Sequence, residues 1–162
     1  MPVYGQPDGK LNQGDVLRGV PFLVRRAGDL DRIEANGLIT SNSCDYDKFA
    51  ETRNKLERNQ MLRWPLAVAP LSDLSIVSPA AAGDVRNYRH LRYFYLPREG
   101  SQSQQMADMW HEQPVPIVTL ERLERIACLS DEHLLKLWTF AFVRRTRLDP
   151  ADVFKGGELV GP

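Results

Sequence analysis

The apolar positions of this chain fall into short runs separated by polar, glycine- and proline-rich punctuation, the texture of a small β domain with helices added to it. From Asp15 to Val24 the residues Val16, Leu17, Val20, Phe22, Leu23 and Val24 are apolar, with Gly19 and Pro21 interrupting them, which predicts a bent or broken strand. A polar turn around Gly28 follows, and Ile33 to Ser41 reads as the next strand. Tyr46 to Gln60 has no Gly or Pro and only a thin apolar stripe of Phe49 and Leu56 among charged side chains, so a solvated helix is expected there. Pro65 to Leu71 is a continuous apolar run of the length of a strand buried on both faces. Residues 72–84 carry Pro79, three consecutive alanines and Gly83, and form an insertion of unassigned structure. Leu91 to Leu96 is the next strand, with the aromatic run Tyr93-Phe94-Tyr95 and a stop at Pro97; Arg98 to Pro114 is polar and is expected to be a mobile loop. Between Val115 and Ala127 the residues Leu120, Leu123 and Ile126 recur at three, yet Pro114 and Pro116 favour extended structure over at least Ile117 to Leu120. Ser130 then suits a helix N-cap, Asp131 and Glu132 the positive end of its dipole, and Arg144 and Arg145 the negative end. Leu134, Leu135, Leu137, Trp138, Ala141, Phe142 and Val143 give this helix a broad apolar face, expected to pack on the strands.

The length, 162 residues, suits one domain. Its expected bounds are 14–148, after a flexible lead-in over 1–13 and before a frayed tail over 149–162. No apolar run approaches the roughly 20 residues needed to span a bilayer, and the N-terminus lacks the basic and apolar regions of a secretion signal. A cytoplasmic protein that does not engage membranes is expected. Cys44 and Cys128 are the only cysteines, neither has a companion at metal-ligand spacing, and reduced thiols with no metal and no cofactor are expected.

Net charge is zero, which argues against a surface designed as a whole to attract nucleic acid. The distribution is more informative. Arg86, Arg89, His90 and Arg92 fall together with no acid among them, interleaved with Tyr88, Tyr93 and Tyr95: cations for phosphate and rings for bases. The competing reading is an edge strand whose arginines keep it soluble and whose aromatics fill the core. A second cluster, Ser41 and Cys44-Asp45 with Asp47, closes the strand ending at Ser41, where polar groups commonly face a cleft. Cys44 could be a nucleophile served by His90, or Asp45 could simply cap the helix that follows while Cys44 is buried. Met106, Met109 and Trp110 lie at helical spacing and either dock a protein partner or fold back on their own domain.

The order of Gly14-Asp15-Val16, Gly37-Leu38-Ile39-Thr40-Ser41-Asn42, Val68-Ala69-Pro70-Leu71-Ser72 and Leu129-Ser130-Asp131 resembles the MazF/PemK type of toxin over most of the chain from Gly14 to Arg145. The resemblance implies a mainly β, α+β fold: a small SH3-like barrel with an inserted helix and a C-terminal amphipathic helix. It also implies an endoribonuclease of the toxin-antitoxin type that cuts single-stranded RNA, often as a homodimer. Ala35-Asn36-Gly37 stands where the family has an arginine and proline, and Ser72 where it has a threonine. Carried over residue by residue, Asp15 falls at the substrate and Ser72 at the catalytic centre. His90 as the base for the ribose 2′-hydroxyl and Arg92 as the cation at the phosphorane would complete a metal-independent mechanism, with Ser41, Cys44, Asp45, Arg86 and Arg89 at the RNA. The alternative is a non-catalytic protein-interaction module on the same barrel. The RNA reading requires the Ser41–Asp45 corner and the Arg89–Arg92 strand to border one cleft, whereas the module would use the inserted helix and the Met106 to Trp110 loop.

Overall fold

The computed structural model describes residues 3–5, 9–99 and 103–160. The elements run β1 (Tyr4–Gly5), β2 (Asp15–Arg26), β3 (Asp29–Ile39), α1 (Ser43–Thr52), α2 (Arg58–Met61), β4 (Pro65–Asp73), α3 (Pro79–Arg86), β5 (Tyr93–Leu96), β6 (Gln105–Asp108), β7 (Gln113–Pro116), α4 (Ile117–Leu120), β8 (Arg125–Leu129), α5 (Asp131–Thr146), α6 (Pro150–Val153), β9 (Phe154–Lys155) and β10 (Glu158–Leu159). Eight strands form one antiparallel sheet in the order β1-β8-β2-β3-β4-β6-β5, with β7 also on β4; β9 and β10 pair separately. The protein is therefore α+β, dominated by an antiparallel sheet, and among the described residues no ladder joins β5 to β1.

The β2–β3 hairpin closes on Ala27 and Gly28, whose φ values of 48° and 96° match the primed two-residue turn that a right-twisted ribbon requires. The break expected near Gly19 is a bulge: the register shifts between Leu17 and Val20, and Gly19 takes a φ of 71°. The helix after β3 starts at Ser43 because the Asn42 side chain accepts from the Cys44 amide at 3.3 Å, so Asn42, and not Asp45, is the cap. It is also shorter than expected. Thr52 bonds back to the carbonyls of Lys48 and Phe49, the chain tightens into a 3-10 turn over Arg53–Lys55, and Glu57 with Gln60 opens α2 as a reciprocal capping box.

Four further expectations are corrected. Ile117–Leu120 is a helical turn, since burying Ile117 and Leu120 together needs the spacing of three rather than strand alternation. The polar stretch 98–114 contains β6 and the start of β7, pinned because Met106, Ala107 and Asp108 are buried against β4 and β5; residues 100–102 of that stretch lie outside the described ones. The segment after 149 folds back as α6 and a small hairpin, with Phe154 fully buried against Tyr88 at a ring separation of 5.1 Å. In the lead-in, likewise, β1 pairs with β8 and Leu11 is buried.

Two cores result. One lies between the sheet and α5, where Leu137, Phe140 and Val143 meet Leu38, Phe94 and Tyr88; the other sits under α1 and α4 around Leu17, Phe22, Phe49 and Val68. Only one side of α5 is used: Leu135, Trp138 and Phe142, expected to pack inward, are exposed.

Candidate functional site

At the end of β6 the chain reverses tightly, the His111 amide donating to the Asp108 carbonyl at 3.1 Å. The Asp108 side chain, only 8% exposed, organises this turn. It accepts from Arg92 Nε at 3.0 Å and Arg92 Nη2 at 2.7 Å, from the Trp110 amide at 3.2 Å, and from His111 Nδ1 at 2.8 Å. Burial raises the carboxyl's pKa, but the hydrogen bonds and charges of Arg92 and His111 outweigh it, so Asp108 titrates below the usual carboxylate range. An ionised carboxylate can only accept, which puts the His111 proton on Nδ1 and leaves Nε2 as the basic nitrogen. His111 is exposed, and its Nε2 has no partner among the described residues. Arg92 lies over two rings, 4.9 Å from the Tyr93 centroid and 5.5 Å from that of Trp110. The guanidinium thus fixes the indole of Trp110, 68% exposed, beside the imidazole.

Trp110 also forms one wall of a cleft of about 460 Å³ shared with Thr40, Leu91, Glu112, Arg144 and Arg145. Arg144 donates to the Met109 carbonyl at 3.2 Å; burial lowers its pKa and the Glu112 carboxylate acts in the opposite direction. Gln13 ties the rim together, giving a hydrogen bond to the Thr40 carbonyl at 2.8 Å and accepting one from the Trp138 indole N–H. The cleft therefore combines an exposed indole, two guanidinium groups and an acid. Its outfit suits a ligand with both a flat ring and an anionic group.

None of the residues Ser41 to Asp45, and only Leu91 of the Arg89 to Arg92 segment, lines this cleft. Thr40, next to Ser41, and Leu91, next to Arg92, face each other across this cleft. Ser41, however, accepts from the Ala67 amide at 2.5 Å and secures β4. Cys44 and Asp45 are exposed on the first turn of α1 and do not line the cleft. Asp15 is buried, accepting from the Asn12 amide and paired with Arg125 Nε at 3.3 Å, in a structural setting. Ser72 sits in β4 opposite Met106. His90 stacks on Tyr93 at 4.9 Å with its Nδ1 buried and unbonded, while Arg89 is exposed and Arg86 reaches Gln104 at 3.3 Å beside a different hollow. Of the three candidate docking residues, Met106 and Met109 are in the core and Trp110 alone is exposed. Reasoning from sequence did not assign Asp108, His111 or Arg144 to the site, although it noted Arg144 at the end of the last long helix. Their signal was an Asp and a His three apart across Met109-Trp110, a spacing that a reverse turn converts into a contact.

Cys44 and Cys128 are not joined in a disulfide, and among the described residues no group of three or more His, Cys, Asp and Glu side chains is placed to hold a metal ion. No helix among the described residues is long and apolar enough to cross a membrane. No protein-family model matches the chain, and no curated protein matches it.

Proposed function

We propose that single-stranded RNA binds in the cleft and over its Trp110 wall, and that His111, next to Trp110 in sequence and outside the residues that line the cleft, is, rather than His90, the base of an endoribonuclease reaction at that edge. The observation that carries this reading is the Asp108–His111 pair, an exposed imidazole held in one tautomer by a buried carboxylate beside Trp110 and Arg92. His111 Nε2 takes the proton of a ribose 2′-hydroxyl. The 2′-oxygen then bonds to the adjacent phosphorus, and the bond to the 5′-oxygen breaks, that oxygen taking a proton from water to leave as a 5′-hydroxyl beside a 2′,3′-cyclic phosphate. Arg92 keeps Nη1 uncommitted among the described residues and serves the phosphorane, Arg144 and Arg145 hold flanking phosphates, and Trp110 stacks a base. This reading keeps the likeness to the MazF/PemK toxins, including a barrel-like closure of the sheet and a cytoplasmic setting, as part of the proposal.

Labelled single-stranded RNA incubated with the protein in EDTA tests it. Wild type is expected to cut. His111→Ala should bind as before but cut about a hundredfold or more slowly. Trp110→Ala should weaken binding by about 1–3 kcal/mol, and binding should fall steeply as salt rises. Neither binding nor cutting by wild type would sink the proposal, and full cutting by His111→Ala would sink its catalytic part. A protein-interaction module is the second reading, favoured by the exposed apolar side of α5.

A further inference from the structure

Glu112 has no part in the binding and chemistry assigned to the cleft, and its charge opposes them. The side chain is exposed, lines the cleft with Trp110, Arg144 and Arg145, and has no hydrogen bond or ion pair among the described residues beyond the field it exerts at Arg144. A phosphate drawn in by the two guanidinium groups is repelled by it. The uncharged polar side chains Thr40 and Gln13 are already engaged, the Thr40 hydroxyl donating to the Ala67 carbonyl at 3.1 Å and Gln13 bridging the Thr40 carbonyl and the Trp138 indole. The cleft therefore keeps one uncommitted carboxylate. Trp110 and Glu112 line it while His111, between them, does not, so the turn sends alternate side chains to the cleft. A ring stacked on the indole meets that carboxylate two residues further along the same wall.

We propose that Glu112 makes the cleft selective for guanine, the base on Trp110 donating its N1–H and an N–H of its 2-amino group side by side to the two carboxylate oxygens. The inference rests on the reading of the cleft as an RNA site. Of the four RNA bases only guanine presents two adjacent N–H donors on its Watson–Crick edge. Uracil has a single N–H between two carbonyls, and adenine and cytosine each set one amino group beside a ring nitrogen that carries a lone pair. Guanine thus gains two charge-assisted hydrogen bonds, whereas each other base gains at most one and turns a lone pair towards the same carboxylate. A wrong base also leaves the acid dehydrated and unpaired, which is how a polar site rejects a near-analogue.

Binding of labelled 2′-O-methyl hexauridylate, which cannot be cut, and of the same hexamer carrying one guanine, hypoxanthine or adenine, measured by fluorescence anisotropy, tests it. Wild type should bind the guanine hexamer about tenfold or more tightly than the adenine or all-uracil ones. Hypoxanthine, which keeps N1–H and lacks the amino group, should fall between them. Glu112→Gln should bind the guanine hexamer about tenfold more weakly and the all-uracil hexamer at least as tightly as wild type, because losing an acid beside two arginines favours phosphate. An acid that merely tempers the arginines gives the opposite sign: Glu112→Gln would then strengthen every hexamer alike, overturning the proposal. Measurable but equal binding of all four hexamers by wild type would overturn the selectivity and leave the RNA reading standing, whereas no binding of any would overturn both.

Discussion

Arg92 and Asp108 meet side-on, the guanidinium donating through Nε to one carboxylate oxygen at 3.0 Å and through Nη2 to the other at 2.7 Å. The pair links β6 to the residue just before β5 and holds the turn that carries Trp110 and His111. Asp108→Ala should therefore cost about 2–3 kcal/mol in urea unfolding, because Arg92 and the Trp110 amide lose their acceptor in a largely buried place.

The same carboxylate gives a pH signature. Its pKa is depressed in the folded state, so its contribution is fully present above the unfolded value near 3.8 and is lost as pH falls through the lower folded value. Chemical unfolding of wild type and Asp108→Asn followed from pH 5 down to pH 2 should show wild type losing more stability over that interval. Parallel curves would remove the assigned role.

His133 predicts a second, separate window. It is buried in α5, near Ser130 Oγ at 3.2 Å, with Lys136, Glu132 and Glu158 around it; burial and then the Lys136 charge hold its pKa below the usual 6.5. The unfolded chain therefore takes up this proton first, so stability is full above pH 6.5 and declines as pH falls below it towards the folded value. His133→Gln should flatten the stability profile between pH 7 and pH 5, measured by thermal unfolding at fixed ionic strength.

Gly37 is a site of close approach. A Cβ there would lie 2.7 Å from Val68 Cγ1, 2.9 Å from Val20 Cγ2 and 3.1 Å from Phe22 Cζ, all in a filled core. Gly37→Ala should destabilise by about 1–3 kcal/mol in denaturant melts, through overpacking and not through backbone strain.

Phe154→Ala should cost about 3–5 kcal/mol by the same measurement, since the ring is fully buried against Tyr88 and beside α5. A negligible change would mean that the segment after 149 adds nothing to the core.

Strands with strong patterns were legible in the sequence: β2, β3 and β4 follow from their apolar positions between turn residues, and α5 from its cap residues and dipole charges. Segments decided by distant contacts were not. Gln105–Asp108 is polar at its ends and becomes a strand because β4 and β5 offer it two edges, a fact outside its own composition. Phe154 looked like part of a glycine-rich tail because its pocket is built by Tyr88 and Phe140. The candidate site was half legible. Reasoning from sequence marked Ser41 to Asp45, beside the cleft residue Thr40, and Arg89 to Arg92, which contains the cleft residue Leu91, but it favoured His90, whose neighbour in sequence is cationic, over His111, whose orienting acid is a turn away. Charge clusters are visible in one dimension, whereas the tautomer of a histidine is fixed by a partner that only folding supplies.

β8 lies between β1 and β2, although the residues it pairs with in each lie more than a hundred positions away in sequence. During synthesis the outer edge of β2 must wait, unpaired and largely apolar, until the chain near Leu129 has left the ribosome. Nascent chains halted before that point should be held by chaperones, and slow closure of this long-range seam should set the pace of refolding.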